Sequence, residues 1–324
     1  MSALSDNVTI IIRSVGERTE ELCRELILAQ ELDPNNVVVV REAPFSAAMR
    51  RSFEIGIECG RPWTLCVDAD VLLRVEAVAQ IVQLAEHQPQ NVCEIQGYIL
   101  DKFFGGPRHG GGHLYRTALL PLALTKIPSE GVDIRPESYM LKLMDMQGYP
   151  RAVIPYLVGL HDFEQFNKDI FRKCLVHAHK HTKYADLFLS IWREHAPTDP
   201  DYRIALQGFA KGVEYTGKVL IDAQQDIYQQ FDNKLQLNEK PPLPSDKYTL
   251  DSIEEIIANW VAPESYQIRF PTKFGLSPPT KKSLSSKEKV IKQMSDLGPI
   301  RIVPYSIGWF MRRMGNGLQS WANH

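Results

Sequence analysis

The sequence predicts an α/β fold, in which a mostly parallel sheet is flanked by helices and followed by a helical C-terminal extension. Short apolar or β-branched runs alternate with stretches of helical hydrophobic spacing from residue 8 to about residue 160. Such alternation is typical of βαβ units, whose parallel strands are buried on both faces. With 324 residues, 44% hydrophobic and 23% charged, the chain can form one large domain plus an appendage.

Each element follows from its own residue pattern. Apolar runs of four to ten residues bounded by polar residues predict strands, and apolar residues three or four apart predict helices. In chain order the predicted strands are VTIII, VVVV, WTLCV, CEIQGYIL and RAVIPYLVGL, and the predicted helices between them are EELCRELILAQEL, SAAMRRSFEIGIE, VEAVAQIVQLAEH and PESYMLKLMDMQGYP.

The stretch FFGGPRHGGGHLYRT is predicted to be a loop. It contains five glycines, more than a strand or helix interior normally carries. We expect the backbone to bend sharply here or to approach a ligand closely.

We divide the chain into three parts. Residues 1–160 contain the predicted sheet, and residues 161–234 are helical with a basic stripe. Residues 235–324 are richer in Pro, Ser and Lys and form a helical, partly irregular tail. The last segment, PYSIGWFMRRMGNGLQSWANH, fits an amphipathic helix on a membrane surface or a helix that packs on the protein itself.

Charge and composition exclude several classes of protein. The net charge of −2 argues against a general nucleic-acid binder, which needs a broad excess of basic residues. The five cysteines form no CxxC pair, and the N-terminus shows neither a signal peptide nor an apolar run long enough to span a membrane. We therefore expect a cytoplasmic protein. A peripheral contact with the inner face of the membrane stays an open alternative.

Two aspartates, Asp68 and Asp70, lie one residue apart in LCVDADVLL, at the end of the third predicted strand. In open α/β sheets, ligands bind beyond the carboxyl ends of the strands. Paired carboxylates there suit a divalent cation that carries phosphate oxygens. The alternative is that the two aspartates only cap the helix that begins near Val75.

The chain resembles the GT-A class of nucleotide-sugar-dependent glycosyltransferases, which have a Rossmann-like sheet, and especially their large inverting family with polysaccharide and rhamnosyl-transferring members. The resemblance covers about residues 8 to 185. Four segments carry it in order, namely LCVDADVLL as the DxD motif, GGGHLYRTALL as the acceptor-side segment, IRPESYMLKLMDMQGYP as the Glu-Asp helix and VGLHDFEQFNKDIFRK as the histidine before a basic helix.

The resemblance implies a divalent cation at the DxD motif. The expected metal-site residues are Asp70, His161 and Asp68. Asp70 would ligate the cation, Asp68 would contact the ribose or the metal's water shell, and His161 would be a further metal contact. We expect Mn²⁺, with Mg²⁺ as the alternative, because an imidazole ligand is less natural for Mg²⁺.

The resemblance also implies a carboxylate base that deprotonates the acceptor hydroxyl. Glu137 aligns with the family's Glu-Asp pair. This chain has Ser138 at the position of the Asp, which commonly acts as the general base in the family. Asp133, four residues earlier, is the second candidate. Residues expected to contact the nucleotide sugar are Arg13, Glu42, Arg51, Asp68, Gly111, Gly112 and Lys173.

The expected partners are a nucleotide-sugar donor and a glycan or other hydroxyl acceptor, and a homodimer stays open. Two alternative functions also stay open. One is a phosphatase of haloacid-dehalogenase type, although its DxD normally closes the first strand rather than the third. The other is a non-catalytic binding or scaffold protein that keeps the fold.

Overall fold

The computed structural model of the protein describes residues 3–221, 228, 240–244 and 247–270. These residues belong to one compact unit, Met1–Leu276. The predicted boundaries at residues 160 and 234 stay predictions, and the predicted helix at 304–324 lies outside the described residues. No helix among the residues that the structure describes has the length and apolar character needed to cross a membrane.

A seven-stranded sheet forms the centre of the fold, in the order β2-β1-β3-β6-β5-β7-β4. The predicted α/β architecture is confirmed, and the sheet is mixed. Strand β1 pairs in parallel with β2 and β3, and β5 with β7, whereas the pairs β3/β6, β5/β6 and β4/β7 are antiparallel. The strands are β1 Val8–Arg13, β2 Val37–Val40, β3 Trp63–Asp68, β4 Val71–Leu73, β5 Glu94–Asp101, β6 Gly106–Arg116 and β7 Arg151–His161.

Strand β6 corrects the predicted glycine-rich loop. It lies between β3 and β5 and pairs with both through backbone hydrogen bonds, which need no side chains. Gly110 and Gly111 adopt φ values of 148° and 82°, which are open to glycine but rarely to other residues. The glycines therefore allow an irregular strand, whereas the composition alone predicted a loop.

Helices cover both faces of the sheet. Along β1, Ile10 and Ile12 pack with Ile27 and Ile81 on one face, whereas Ile11 packs with Met49 on the other. This alternation is the period of two that a strand imposes on its side chains. The helices are α1 Ala3–Asn7, α2 Glu20–Leu28, α3 Phe45–Cys59, α4 Ala77–Glu86, α5 Leu120–Leu124, α6 Pro136–Asp145, α7 Asn167–Lys180, α8 Ala185–His195, α9 Pro200–Glu214, α10 Leu250–Asn259 and α11 Glu264–Arg269.

Helix α7 is held by close packing against α9. A Cβ atom on Gly208 or Gly212 of α9 would overlap the carbonyl oxygen of Phe171 or Leu175 on α7. The indole nitrogen of Trp192 donates a hydrogen bond of 2.7 Å to the carbonyl oxygen of Phe103, which joins α8 to the end of β5. The basic helix is thereby fixed next to the sheet edge.

The register of the strands brings polar residues together at that edge. Arg13 is the partner of Asp68 across β1 and β3, and Asp101 is the partner of His161 across β5 and β7. Strand β4 follows the DAD turn and places Val71 opposite His161. The two aspartates of LCVDADVLL therefore lie between Arg13 on one side and His161 on the other.

Candidate functional site

A cleft of about 620 Å³ opens at this edge of the sheet. The volume is in the range of small-molecule sites, about 300–1,000 Å³. Of the residues predicted from sequence, the cleft brings together Arg13, Glu42, Asp68, Asp70, Gly111, Glu137, His161 and Lys173.

Three residues form the metal-ligand cluster, which we define as Asp70, His161 and Asp162. One candidate ligand atom from each lies within 4.8 Å of the others. Asp162 has a positive φ of 65°, and its amide nitrogen lies 3.3 Å from the carbonyl oxygen of Asp70. This backbone turn directs the Asp162 carboxylate toward the DAD turn.

Asp101 orients the imidazole of His161. His161 Nδ1 lies 2.8 Å from Asp101 Oδ2, and Arg108 Nε donates to the same oxygen at 2.5 Å. The other ring nitrogen, Nε2, lies 3.5 Å from Asp70 Oδ1, and it must give up its proton before it can bind a cation. A carboxylate behind a histidine in this way is a common support for a metal ligand.

Lys173 lies against the metal-ligand cluster. Its Nζ is 2.5 Å from Asp70 Oδ2 and also donates to Asp162 Oδ1. The other two oxygens, Asp70 Oδ1 and Asp162 Oδ2, are buried and accept no hydrogen bond from the residues that the structure describes. Both lie beside the His161 ring, 3.5 Å from Nε2 and 3.0 Å from Nδ1. Buried carboxylate oxygens without donors, beside an oriented imidazole, fit a divalent cation such as Mn²⁺.

The charges in this cluster shift one another's pKa. Burial raises the pKa of Asp70, but Lys173 and His161 outweigh it and hold that pKa well below its usual value. Burial lowers the pKa of His161, but Asp162 and Asp70 outweigh it and raise that pKa to about 9. The aspartate is thus ionised and ready to bind a cation.

A second group of residues, the paired wall, consists of Arg13, Asp68, His113, Tyr115 and Glu137. Arg13 donates to Asp68 Oδ1 at 2.9 Å and to Glu137 Oε1 at 2.8 Å. Tyr115 Oη donates to the same Glu137 oxygen at 2.7 Å, and His113 Nε2 lies 3.1 Å from Glu137 Oε2. Burial raises the pKa of Glu137, but Arg13 and His113 outweigh it and lower that pKa to about 2.

The cationic cluster, which we define as Arg135, Lys180 and Lys183, also lines the cleft. Among the described residues none of the three has a carboxylate partner. Arg135 Nη2 instead donates to the carbonyl oxygen of Lys180 and lies 3.0 Å from His181 Nδ1. Burial and the nearby charges of Arg108 and Arg135 lower the pKa of Lys180 to about 8. An anion bound here would relieve this repulsion.

Three of the predicted residues do not line the cleft. Arg51 lies on the outer surface of α3, where it pairs with Glu54 at 3.5 Å and Glu58 at 3.2 Å. Gly112 faces the apolar side of the sheet, where a Cβ would lie 3.7 Å from Leu65. Asp133 is exposed and accepts a hydrogen bond of 2.7 Å from the amide of Arg135, so it acts as a turn residue before α6.

Sequence reasoning missed several residues of the site. Asp162 directly follows His161 in VGLHDFE, and that adjacency could have identified it. Asp101 and Arg108 carry no local signal, because their positions depend on the pairing of β5 with β6 and β7. Arg135 and Lys180 come together only through the packing of the turn before α6 against the end of α7.

No family model and no curated protein matches the chain. Solved structures give distant likenesses. One is a mannosyltransferase from Pyrobaculum calidifontis in complex with GDP-Man and Mn²⁺, at 13% identity over 71% of this chain and 84% of that chain, with a TM-score of 0.36. Another is a glycosyltransferase involved in glycosylation of the major capsid of PBCV-1, at 15% identity over 48% of this chain and 82% of that chain, with a TM-score of 0.32.

A third similar structure is a CMP:2-keto-3-deoxy-manno-octonic acid synthetase in complex with CTP. It is 10% identical over 47% of this chain and 90% of that chain, with a TM-score of 0.32. At these identities and TM-scores the likenesses carry no argument about the activity of this chain.

Proposed function

We propose that this protein is a glycosyltransferase that moves a sugar from a nucleotide-diphosphate donor to a hydroxyl acceptor with the help of a divalent cation. One observation carries the proposal. In the described part of the chain, one cleft holds buried carboxylate oxygens that accept no hydrogen bond and cations that have no carboxylate partner. The carboxylate oxygens attract a metal ion, and the cations attract a polyanion. A nucleotide sugar with its divalent cation supplies both.

The cation would be held by Asp70, His161 and Asp162. Asp162 replaces Asp68 as the further carboxylate ligand in this proposal, because Asp68 is already bound by Arg13. Asp68 stays within reach of the ribose, as its side chain is 37% exposed in the cleft. A divalent cation bound there would offset the negative charge that gathers on the departing nucleoside diphosphate.

The cationic cluster would bind the diphosphate. Lys180 and Lys183 carry flexible ammonium groups, and the planar guanidinium of Arg135 can donate two parallel hydrogen bonds to phosphate oxygens. Because these donors are in place before the reaction, they stabilise the leaving group without further reorganisation.

Glu137 is the acceptor base in this proposal, because it lines the cleft and Asp133 does not. In the free protein its two oxygens are occupied by Arg13, Tyr115 and His113. To take a proton from the acceptor, Glu137 must exchange one of these donors for the acceptor hydroxyl. Such rearrangement is common when an active site closes on its substrates.

Calorimetric titration with UDP, GDP and dTDP, each with and without Mn²⁺, tests the proposal. We expect one nucleotide to bind in a Mn²⁺-dependent manner and Asp70→Ala to abolish that binding. Asp251→Ala, which removes an exposed carboxylate of α10, is the matched control and should bind as the wild type does. Failure of all three nucleotides to bind would reject the proposal.

Binding alone would also be seen for a non-catalytic protein of this fold. Hydrolysis of the matching nucleotide sugar distinguishes the two cases. A transferase is expected to release free sugar slowly in the presence of Mn²⁺, whereas a binding protein would leave the nucleotide sugar intact.

A further inference from the structure

Lys173 holds a position that bears directly on cation binding. Its ammonium group contacts both carboxylates of the metal-ligand cluster, Asp70 and Asp162. Each carboxylate offers one oxygen to Lys173 and keeps the other buried without a hydrogen bond. A cation on the two remaining oxygens would therefore have an ammonium group as its immediate neighbour.

The Lys173 ammonium group lowers the affinity of the cluster for a cation. Two like charges a few ångströms apart repel strongly where water is partly excluded. Side chains of Lys173, Asp70 and Asp162 are all at least four-fifths buried, so water screens the repulsion poorly. The carboxylate charge is also shared, since Lys173 already neutralises part of it.

The structure offers Lys173 a second anionic partner. Lys173 and Lys180 are seven residues apart on α7, which is close to two helical turns, so both project from one side of the helix. Both line the cleft. A diphosphate bound by Lys180 would therefore lie along the side of α7 that carries Lys173, and the flexible lysine stem can move its ammonium group between the two partners.

We propose that Lys173 makes cation binding depend on the nucleoside diphosphate: it weakens cation binding in the free protein and becomes a ligand of the diphosphate when both are present. Two ligands coupled in this way each raise the affinity for the other by the same factor. Couplings of this kind are typically about 5-fold to 150-fold. The free protein then holds its cation weakly, and the nucleotide completes the site.

Binding of Mn²⁺ alone to the protein, followed by the electron paramagnetic resonance of free Mn²⁺, tests this inference. We expect Lys173→Met to bind Mn²⁺ at least about tenfold more tightly than the wild type, since close charge pairs contribute about 1.5 kcal/mol or more. Lys173→Arg keeps the charge and should bind Mn²⁺ as weakly as the wild type. Lys168→Met, an exposed lysine on the same helix, is the control for loss of charge from α7.

The same titrations in the presence of UDP, GDP or dTDP complete the test. In the wild type the matching nucleotide should tighten Mn²⁺ binding, and in Lys173→Met this gain should largely disappear. If Lys173→Met does not fold, Lys173→Gln replaces it, because the amide can still donate to one carboxylate. Circular dichroism establishes that each variant is folded.

Because the inference rests on the proposed function, the outcomes must separate the two. Wild-type protein that binds Mn²⁺ with a nucleotide, together with a Lys173→Met variant that binds Mn²⁺ alone no more tightly than wild type, would overturn only the role of Lys173. Absence of Mn²⁺ binding to every variant, with and without each nucleotide, would overturn the proposed function as well.

Discussion

On the paired wall, the buried guanidinium of Arg13 is shared by two carboxylates, and Glu137 receives hydrogen bonds from two further side chains. In the cationic cluster, by contrast, Lys180 lies near Arg108 and Arg135 and has no carboxylate partner among the described residues. Residues of both groups line the same cleft. In the paired wall opposite charges neutralise one another, whereas in the cationic cluster like charges repel.

The difference separates structural from ligand-binding roles. Charges that satisfy one another fix the positions of side chains, and removal of one partner destabilises the folded state. Lys180 is partly buried, and a cation placed there beside other cations lowers the stability of the free protein until an anionic ligand binds. We therefore assign the paired wall to shaping the cleft until the acceptor binds at Glu137, and the cationic cluster to holding an anion.

Glu137→Gln should break the paired wall and gives the largest expected effect. Arg13 is almost fully buried and would lose one of its two carboxylates, so we expect a loss of about 3 kcal/mol in the free energy of unfolding. Urea denaturation measures it. The exposed control Glu58→Gln should change stability by no more than about 0.5 kcal/mol. A loss below about 1 kcal/mol in Glu137→Gln would show that the wall is not structural.

Lys180→Met should affect ligand binding rather than stability. We expect the affinity for the matching nucleoside diphosphate to fall about tenfold to a hundredfold, because a charge-assisted bond to phosphate contributes about 1.5–3 kcal/mol. The free energy of unfolding should stay the same or rise, because the variant removes a cation from a repulsive site. Calorimetry and urea denaturation measure the two quantities, and a clear loss of stability would contradict the comparison.

The two groups should also change stability in different pH ranges, the paired wall at acidic pH and Lys180 at alkaline pH. The pKa of Glu137 is lowered from 4.5 to about 2 in the folded protein, so its stabilising contribution is full above pH 4.5 and is lost as the pH falls toward 2. The pKa of Lys180 is lowered from 10.5 to about 8, so the folded state loses its proton first and stability should rise between pH 8 and 10.5.

These pH effects are measured as differences between the wild type and a variant, which cancels the other titrating groups. Glu137→Gln should remove part of the acid sensitivity, and Lys180→Met should remove the rise at alkaline pH. If the free energy of unfolding changes equally with pH in the wild type and in Lys180→Met above pH 8, the charged form of Lys180 is not destabilised in the folded state.

Arg51→Ala should have the smallest effect. Arg51 was predicted to contact the nucleotide sugar, but it lies on the outer surface of α3 with two glutamates. We expect no change in nucleotide affinity and a change in stability within about 0.5 kcal/mol, which is usual for surface ion pairs. A tenfold loss of nucleotide affinity would instead place the nucleotide on that side of the molecule.

The sequence predicted the fold well wherever periodic patterns are strong. Strands β1, β2, β3, β5 and β7 lie where short apolar runs predicted them. Strand β6 was missed because glycines hide its pairing, which depends on two neighbouring strands rather than on its own side chains. Two of the three antiparallel pairs involve β6 and were missed with it, and the third involves β4, a three-residue strand that the sequence analysis did not predict.

The placement of some candidate site residues agrees with the sequence analysis. Asp70, His161 and Lys173 were predicted to serve one site, and the structure brings all three together, while their roles stay predictions. Asp101, Arg108 and Arg135 were missed because strand register and helix packing place them, and neither leaves a local motif. Gly112 was expected at the nucleotide, but it lies beside Leu65 of the apolar core, whereas Gly111 lines the cleft.

The most direct test of the comparison is a crystal structure of the protein with Mn²⁺ and the nucleoside diphosphate that it binds, with the ion located by anomalous scattering. We predict a single Mn²⁺ peak at Asp70, His161 and Asp162, with the diphosphate against Lys180 and Arg135 and the paired wall unchanged. A Mn²⁺ peak elsewhere, or a diphosphate bound by Arg13 in place of Asp68 and Glu137, would contradict the division of the cleft into a structural wall and a ligand-binding cluster.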